Sequence, residues 1–156
     1  MPERQLSFAV VCSSNMNRSM EAHRILKKKE YRLNQKEYIS ETCKFLKNFT
    51  LLIVEIFDST CPSHNVTSYG TGAAVKIPGP SADRPNIYSF DWTYDKIHKD
   101  LCKKDIHTYT ENGILSLLDR NRRIKKNPEK FQLSKGRYDV VFTAEERVYD
   151  QAIERK

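Results

Sequence analysis

Glycine is scarce in this chain, five residues of 156, and the six prolines keep no period, which excludes a collagen-like protein. The composition does not suit a coiled coil either. Only four cysteines occur (Cys12, Cys43, Cys61 and Cys102), none of them in a C-x-x-C pair. In the reducing compartment that the sequence points to, neither a disulfide scaffold nor a zinc site is expected. His23, His64, His98 and His107 are scattered at no ligand spacing, so no metal or other cofactor is expected. Long hydrophobic runs are missing as well. The longest, Leu51 to Phe57, is interrupted by Glu55 and falls far short of the roughly 20 residues that a membrane helix needs, so no membrane span is expected. Glu3 and Arg4 precede only a short apolar stretch, which does not read as a secretory signal. The expected setting is therefore intracellular, and the sequons beginning at Asn17, Asn48 and Asn65 are read as accidental.

What is present is one domain's worth of chain, 38% hydrophobic and 30% charged, enough for a modest core. Twenty-seven Lys and Arg against 20 Asp and Glu leave a net charge of +7. That excess favours an anionic partner such as phosphate, nucleic acid or a phosphoprotein. Leu6-Ser-Phe-Ala-Val-Val11 has the pattern of a strand buried on both faces of a parallel sheet. A helix is expected over Met20 to Glu30, where Ala22, Ile25, Leu26 and Lys29 stand at helical spacing. Tyr138 to Thr143 reads as a second core strand. Thr143-x-x-Glu146 reads as a capping box opening a helix with Val148/Ala152 and Tyr149/Ile153 pairs. Between these units, Tyr94, Ile97 and Leu101 mark one helix, and Ile114 to Leu118 a second that starts after Asn112-Gly113. Ile77 to Pro85 reads as a loop. Two β-then-α units predict an α/β fold, a parallel sheet flanked by helices.

The chemistry is concentrated in Cys12-Ser-Ser-Asn-Met-Asn-Arg18-Ser19, a C-x5-R-S loop between the first strand and its helix. A helix N-terminus offers unpaired N–H groups and the positive end of the macrodipole. A loop wrapped before it, through Ser13, Ser14, Asn15, Met16 and Asn17, can therefore bind a phosphate dianion by main-chain donors. Arg18 adds a planar fork for two phosphoryl oxygens and can follow them as charge shifts in the transition state. The same field favours the thiolate of Cys12, a nucleophile able to attack phosphorus and form a phosphocysteine. Ser19 can hydrogen-bond that thiolate, and Asn15 and Asn17 can brace the loop. Eleven arginines would place Arg six residues after one of four cysteines with chance expectation about 0.3, and a following Ser or Thr lowers it to about 0.04. The other three cysteines have Phe49, Thr67 and Thr108 at that position. The plainer alternative is an inert buried thiol.

Val10-Val-Cys-Ser-Ser-Asn-Met-Asn-Arg-Ser-Met-Glu-Ala-His23 closely resembles the signature of the "Ssu seventy-two" family of RNA polymerase II C-terminal-domain phosphatases. The likeness continues in Ser68-Tyr-Gly-Thr-Gly-Ala-Ala-Val-Lys-Ile-Pro-Gly-Pro80, Arg84-Pro-Asn-Ile-Tyr88, Asn112-Gly-Ile-Leu115, Leu118-Asp-Arg-Asn121 and Glu145-Glu-Arg-Val-Tyr-Asp150. The resemblance implies a fold like that of the low-molecular-weight tyrosine phosphatases. It also implies removal of phosphate from serine before a cis proline in the polymerase tail. By match to the motif, Cys12 is the nucleophile and Arg18 the phosphate clamp, while Lys76 and Pro78 fall in the loop that borders the peptide groove. The implied partners are the C-terminal tail of the polymerase's largest subunit and a scaffold protein of the cleavage and polyadenylation machinery. The implied setting is the nucleus, with the cytoplasm left open, in transcription termination and mRNA 3′-end processing. Direct nucleic-acid binding is not expected.

Two departures from the family accompany the likeness. The chain is read as a single phosphatase-like domain over 1–156 with an atypical insertion at about 31–64, too apolar for an ordinary linker. A retained intron or lineage-specific exon is the first reading, a docking segment the second. The family's general-acid aspartate and C-terminal helices lie later than anything in this sequence, so the fold is expected to be incomplete at its C-terminus. Among the carboxylates present, Asp139 should sit at the strand end away from Cys12, about 13 Å of rise from Thr143. Glu145 and Glu146 should sit at the correct end, in a first helical turn where the dipole favours the ionised form. Glu145 is the least unsuitable of them, and Asp150 reads as solvated. A catalytically impaired phosphopeptide- or scaffold-binding relative is therefore an alternative. A small tyrosine phosphatase or arsenate reductase is another, although those usually carry glycine inside the loop. Arg120 to Arg137 holds eight positive charges against one Glu, read as a solvated face or an electrostatic guide.

Overall fold

Nothing polar interrupts Phe8 to Val11, and a stretch of that kind is stable only where both of its faces are covered. The computed structural model describes residues 6–27, 65–81 and 83–154. The expected insertion at about 31–64, with its apolar run, lies outside the described residues. In chain order the elements are β1 (Ser7–Cys12), α1 (Arg18–Lys27), β2 (Asn65–Gly70), β3 (Val75–Ile77), β4 (Asn86–Tyr88), α2 (Tyr94–Glu111) and α3 (Ile114–Ile124). A short 3-10 turn (Phe131–Leu133), β5 (Val140–Thr143) and α4 (Glu146–Ile153) follow.

The sheet order is β2-β1-β5, with both neighbours parallel to β1. The pleat divides β1 between two cores. Phe8 and Val10 pack with Ala22 of α1 and Val66, whereas Ala9 and Val11 pack with Tyr69, Phe131 and Val148 of α4. The predicted α/β class, a parallel sheet flanked by helices, is what the chain adopts. A third core joins α2 and α3 to the antiparallel pair β3–β4, with Tyr94, Ile97, Leu101 and Leu118 fully buried. Thr93 caps α2 by accepting the Lys96 N–H at 3.2 Å. Asn112-Gly113 opens α3 as predicted: Gly113 takes the left-handed φ of 75°, and Asn112 Oδ1 accepts the Ile114 N–H at 3.1 Å.

Two expectations need correcting. The strand near residue 140 is an edge of the sheet, not a core strand, since Val140 and Val141 are 36% and 40% exposed. In the described residues it has β1 on one side alone. The capping box does not form. Thr143 still pairs with Val11, and the Ala144 N–H donates to the Val11 carbonyl at 3.0 Å. The sheet therefore holds the backbone extended through Glu145, and α4 begins at Glu146 with no side-chain cap. Its two apolar pairs divide: Val148 is buried with Ala152 packed beside it, and Tyr149 and Ile153 are exposed.

His23 bridges α1 and β2, its Nδ1 lying 2.9 Å from Ser68 Oγ. Burial first, then the charges of Lys125 and Lys27, push its pKa down to about 4 from 6.5. Between those values the unfolded chain binds more protons than the folded one, so stability is lost as pH falls through this window. The loss is at most about 3 kcal/mol. Urea unfolding at pH 7 and pH 5 should show the wild type losing more stability than His23→Gln. Equal losses would remove His23 as the cause.

Candidate active site

Cys12 ends β1 at the C-terminal edge of the sheet and Arg18 opens α1, so residues 13–17 must turn within the N-terminal field of the helix. The thiol of Cys12 is buried, with Sγ 3.0 Å from Ser19 Oγ. Asn15 Nδ2 donates to that same Oγ at 2.9 Å. The Glu129 N–H donates to Asn15 Oδ1 at 3.0 Å, which fixes the amide with its nitrogen toward Ser19. With one lone pair accepting from Asn15, the Ser19 hydroxyl still has its proton free to donate to sulfur, the direction that would stabilise a thiolate. Asn15 is also the one non-glycine residue with positive φ among those described, at 52°. Asparagine tolerates that region better than most residues. The predicted bracing thus falls to Asn15. Asn17 is exposed and contributes its carbonyl, which accepts the Glu21 N–H at 2.8 Å.

Arg18 is half-buried, and its Nη1 lies 3.1 Å from Glu145 Oε2 and 3.5 Å from the Ala144 carbonyl. The carboxylates fall where parallel topology requires. Asp139 lies at the far end of β5, accepting from the Ser7 N–H at 2.8 Å and its hydroxyl at 2.9 Å. Glu145 lies at the loop, and Glu146 and Asp150 are exposed. A cleft of about 360 Å³ opens over the loop, lined by Cys12, Ser13, Ser14, Met16, Asn17 and Arg18 on one side. Lys76, Ile77, Pro78, Asn112, Ile114 and Leu117 complete it. Lys76 and Pro78, singled out in the sequence, are therefore neighbours of the loop, and the Lys76 N–H donates to Ser14 Oγ at 3.2 Å.

Several contributors escaped sequence reading. Gly70 and Gly72 let the end of β2 lie against the loop. A Cβ on Gly70 would stand 2.8 Å from the Ser13 carbonyl and 3.0 Å from the Asn15 nitrogen, and one on Gly72 would stand 2.9 Å from the Ser13 carbonyl. Their signal was Gly-Thr-Gly directly after a strand in a chain with so few glycines. Arg147 Nη2 reaches Ser13 Oγ at 3.3 Å. The basic run is only in part a solvated face, because two of its charges are braces. Arg120 Nη1 lies 2.7 Å from Glu21 Oε2, and Lys125 Nζ donates to the Ser68 carbonyl at 2.5 Å beneath the Tyr69 ring. Burial, opposed by Glu129, pushes the Lys125 pKa down to about 8.

Residues 6–36 and 57–156 match the family described as Ssu72-like protein. Residues 37–56, within the stretch read as an insertion, fall outside that match. Over 154 residues, 99% of the chain, the sequence is 47% identical to the RNA polymerase II C-terminal domain phosphatase SSU72 of Xenopus laevis. It is 46% identical to that of Homo sapiens over the same length. The chain spans 62% of the length of these relatives. A crystal structure of the serine phosphatase of the RNA polymerase II CTD from Drosophila melanogaster superposes with a TM-score of 0.74 at 45% identity, covering 97% of this chain and 62% of that one. D. melanogaster Ssu72 with Symplekin, bound to a cis peptidomimetic CTD peptide phosphorylated on serine, gives 0.69 at 42% identity, covering 97% and 61%. The match takes in β1, the Cys12–Arg18 loop, the cleft above it and both β–α units, and the chain belongs to the Ssu72-like protein family.

Proposed function

We propose that this chain carries the nucleophile and phosphate cradle of a phosphoserine phosphatase acting on the RNA polymerase II C-terminal tail. The observation that carries the reading is the Asn15–Ser19–Cys12 hydrogen-bond chain, set in a loop that ends on Arg18 at a helix N-terminus. Cys12 Sγ forms a bond to phosphorus while the ester P–O bond breaks, and the serine oxygen leaves as the hydroxyl, its proton drawn from solvent water where no side-chain acid supplies it. Water then cleaves the S–P bond, giving inorganic phosphate and the free thiolate. Main-chain N–H groups of residues 13–17 and the Arg18 fork hold the phosphoryl oxygens through both steps. The cleft along Lys76, Pro78 and Leu117 takes the peptide on either side of the phosphoserine, with the following proline cis, a reading supported by the cis peptidomimetic bound to the Drosophila relative. That relative's complex with Symplekin supports a polyadenylation scaffold as partner, and with it a nuclear setting in termination and 3′-end processing.

A second reading is favoured by one observation, that the carboxylate touching Arg18 is Glu145, already engaged in an ion pair. On that reading the chain binds phosphopeptide and turns it over poorly. Both readings require an anion-binding loop with a reactive thiol. Peptide-resolved mass spectrometry after brief iodoacetate treatment should find Cys12 alkylated well ahead of Cys102, whose Sγ rests 3.6 Å from His98 Nδ1 on α2. Inorganic phosphate should protect Cys12 selectively. Equal rates without protection would refute both readings.

A further inference from the structure

A main-chain phosphate cradle works only if its carbonyls face away from the anion. In a trans peptide the C=O of one residue and the N–H of the next point in opposite directions, so whatever holds the carbonyl outward aims the following N–H inward. Four carbonyls between Cys12 and Arg18, that of Cys12 included, are held from outside the loop. The Cys12 carbonyl accepts the Thr71 N–H at 3.0 Å, and that of Ser13 accepts the Gly72 N–H at 2.8 Å. The Asn15 carbonyl accepts the Tyr94 hydroxyl at 2.5 Å. The Met16 carbonyl accepts Asn121 Nδ2 at 2.7 Å and Arg120 Nη2 at 3.2 Å. Tyr94 and Asn121 are both fully buried, and they come from α2 and α3, outside the β–loop–α unit.

We infer that Tyr94 and Asn121 are positioning residues of the phosphate site: by holding the carbonyls of Asn15 and Met16 outward, they aim the N–H groups of Met16 and Asn17 at the bound phosphoryl group. The inference rests on the phosphatase reading above. Asn121 cannot rotate away from this task, because its Oδ1 accepts Arg120 Nε at 3.1 Å and Nη2 at 3.0 Å. Arg120 is in turn fixed by Glu21 of α1. Tyr94 remains a donor, since burial and then the charge of Cys12 hold its phenol well above the usual range. Met16 and Asn17 both border the cleft. Helices α2 and α3 therefore set the shape of a loop to which they contribute no residue.

The test is orthovanadate binding by calorimetry to the full 156-residue chain and to three variants. Tyr94→Phe keeps the packed ring and removes only the hydroxyl, Asn121→Leu removes the amide donor, and Tyr109→Phe removes another buried hydroxyl, the one that accepts from Asn86 at 2.7 Å. Tyr94→Phe and Asn121→Leu should each weaken vanadate binding by about tenfold, while Tyr109→Phe stays within about twofold, with thermal midpoints of the two Phe variants alike. Vanadate binding by Tyr94→Phe equal to that of the wild type overturns the inference, even where Asn121→Leu fails to fold. Absence of binding in a folded wild type overturns the phosphatase reading itself and the inference with it.

Discussion

Replacing Arg18 with alanine is expected to lower the hydrolysis of p-nitrophenyl phosphate by about 10²- to 10³-fold in kcat/KM, the scale typical of losing one donor aimed at transition-state charge. The structure adds a second reason for a large effect. Glu145 Oε2 is held 3.1 Å from Arg18 Nη1, so removing the guanidinium leaves a carboxylate beside the site where a dianion must bind. The double variant Arg18→Ala/Glu145→Gln should therefore recover part of the loss in phosphate affinity, although not the transition-state contribution. Arg18→Lys keeps the charge but lacks the planar fork, and should stay well below the wild type. The Arg18–Glu145 pair is partly exposed, so its removal should cost less than about 1 kcal/mol of stability, and unfolding midpoints should separate chemistry from folding. Activity of Arg18→Ala within tenfold of the wild type would remove Arg18 from the role of clamp.

What could be read in advance follows from how local each feature is. The C-x5-R-S loop, the strand before it and the helix after it occupy one contiguous stretch, so spacing and hydropathy reach all of it. Tyr94 was legible as a core position of α2, because Tyr94, Ile97 and Leu101 repeat at helical spacing. Its hydroxyl bond to Asn15, 79 positions away, has no local signature, and neither does that of Asn121 to Met16 across 105 positions. Arg120 and Lys125 read in sequence as part of a solvated face or an electrostatic guide for the same reason. A charge run records composition, whereas Glu21 and the Ser68 carbonyl are brought beneath it only by the packing of α3 over α1 and β2. The capping box failed on a competition between local and long-range bonds. Thr143 and Ala144 gain more from the ladder beside Val11 than Thr143 would gain as a cap, so the helix waits for Glu146.

The distinction between an aryl phosphate and a phosphoserine should separate an enzyme from a binder. Breaking a serine–phosphate bond expels an alkoxide, a far poorer leaving group than p-nitrophenolate, so serine release needs a proton donor in the transition state. General acid help is typically worth 10²- to 10⁴-fold, and it should fall at the upper end for the alkoxide and the lower end for the phenolate. The carboxylate in contact with Arg18 is Glu145, whose Oε2 is taken up by the guanidinium at 3.1 Å. The 156-residue chain is therefore expected to hydrolyse p-nitrophenyl phosphate weakly and a phosphoserine–proline heptad peptide hardly at all. A chain extended to the full length of its relatives should gain on the peptide by about 10³-fold or more and far less on the aryl ester. Cys12→Ser must run alongside both, because a contaminating phosphatase would survive that change and this chemistry would not. If the 156-residue chain matches the extended one on the peptide, the acid lies within those 156 residues. Glu145→Gln is then the decisive variant: a loss confined to the peptide would make Glu145 the donor once bound phosphate has drawn Arg18 away from it, and the impaired-relative reading would fall.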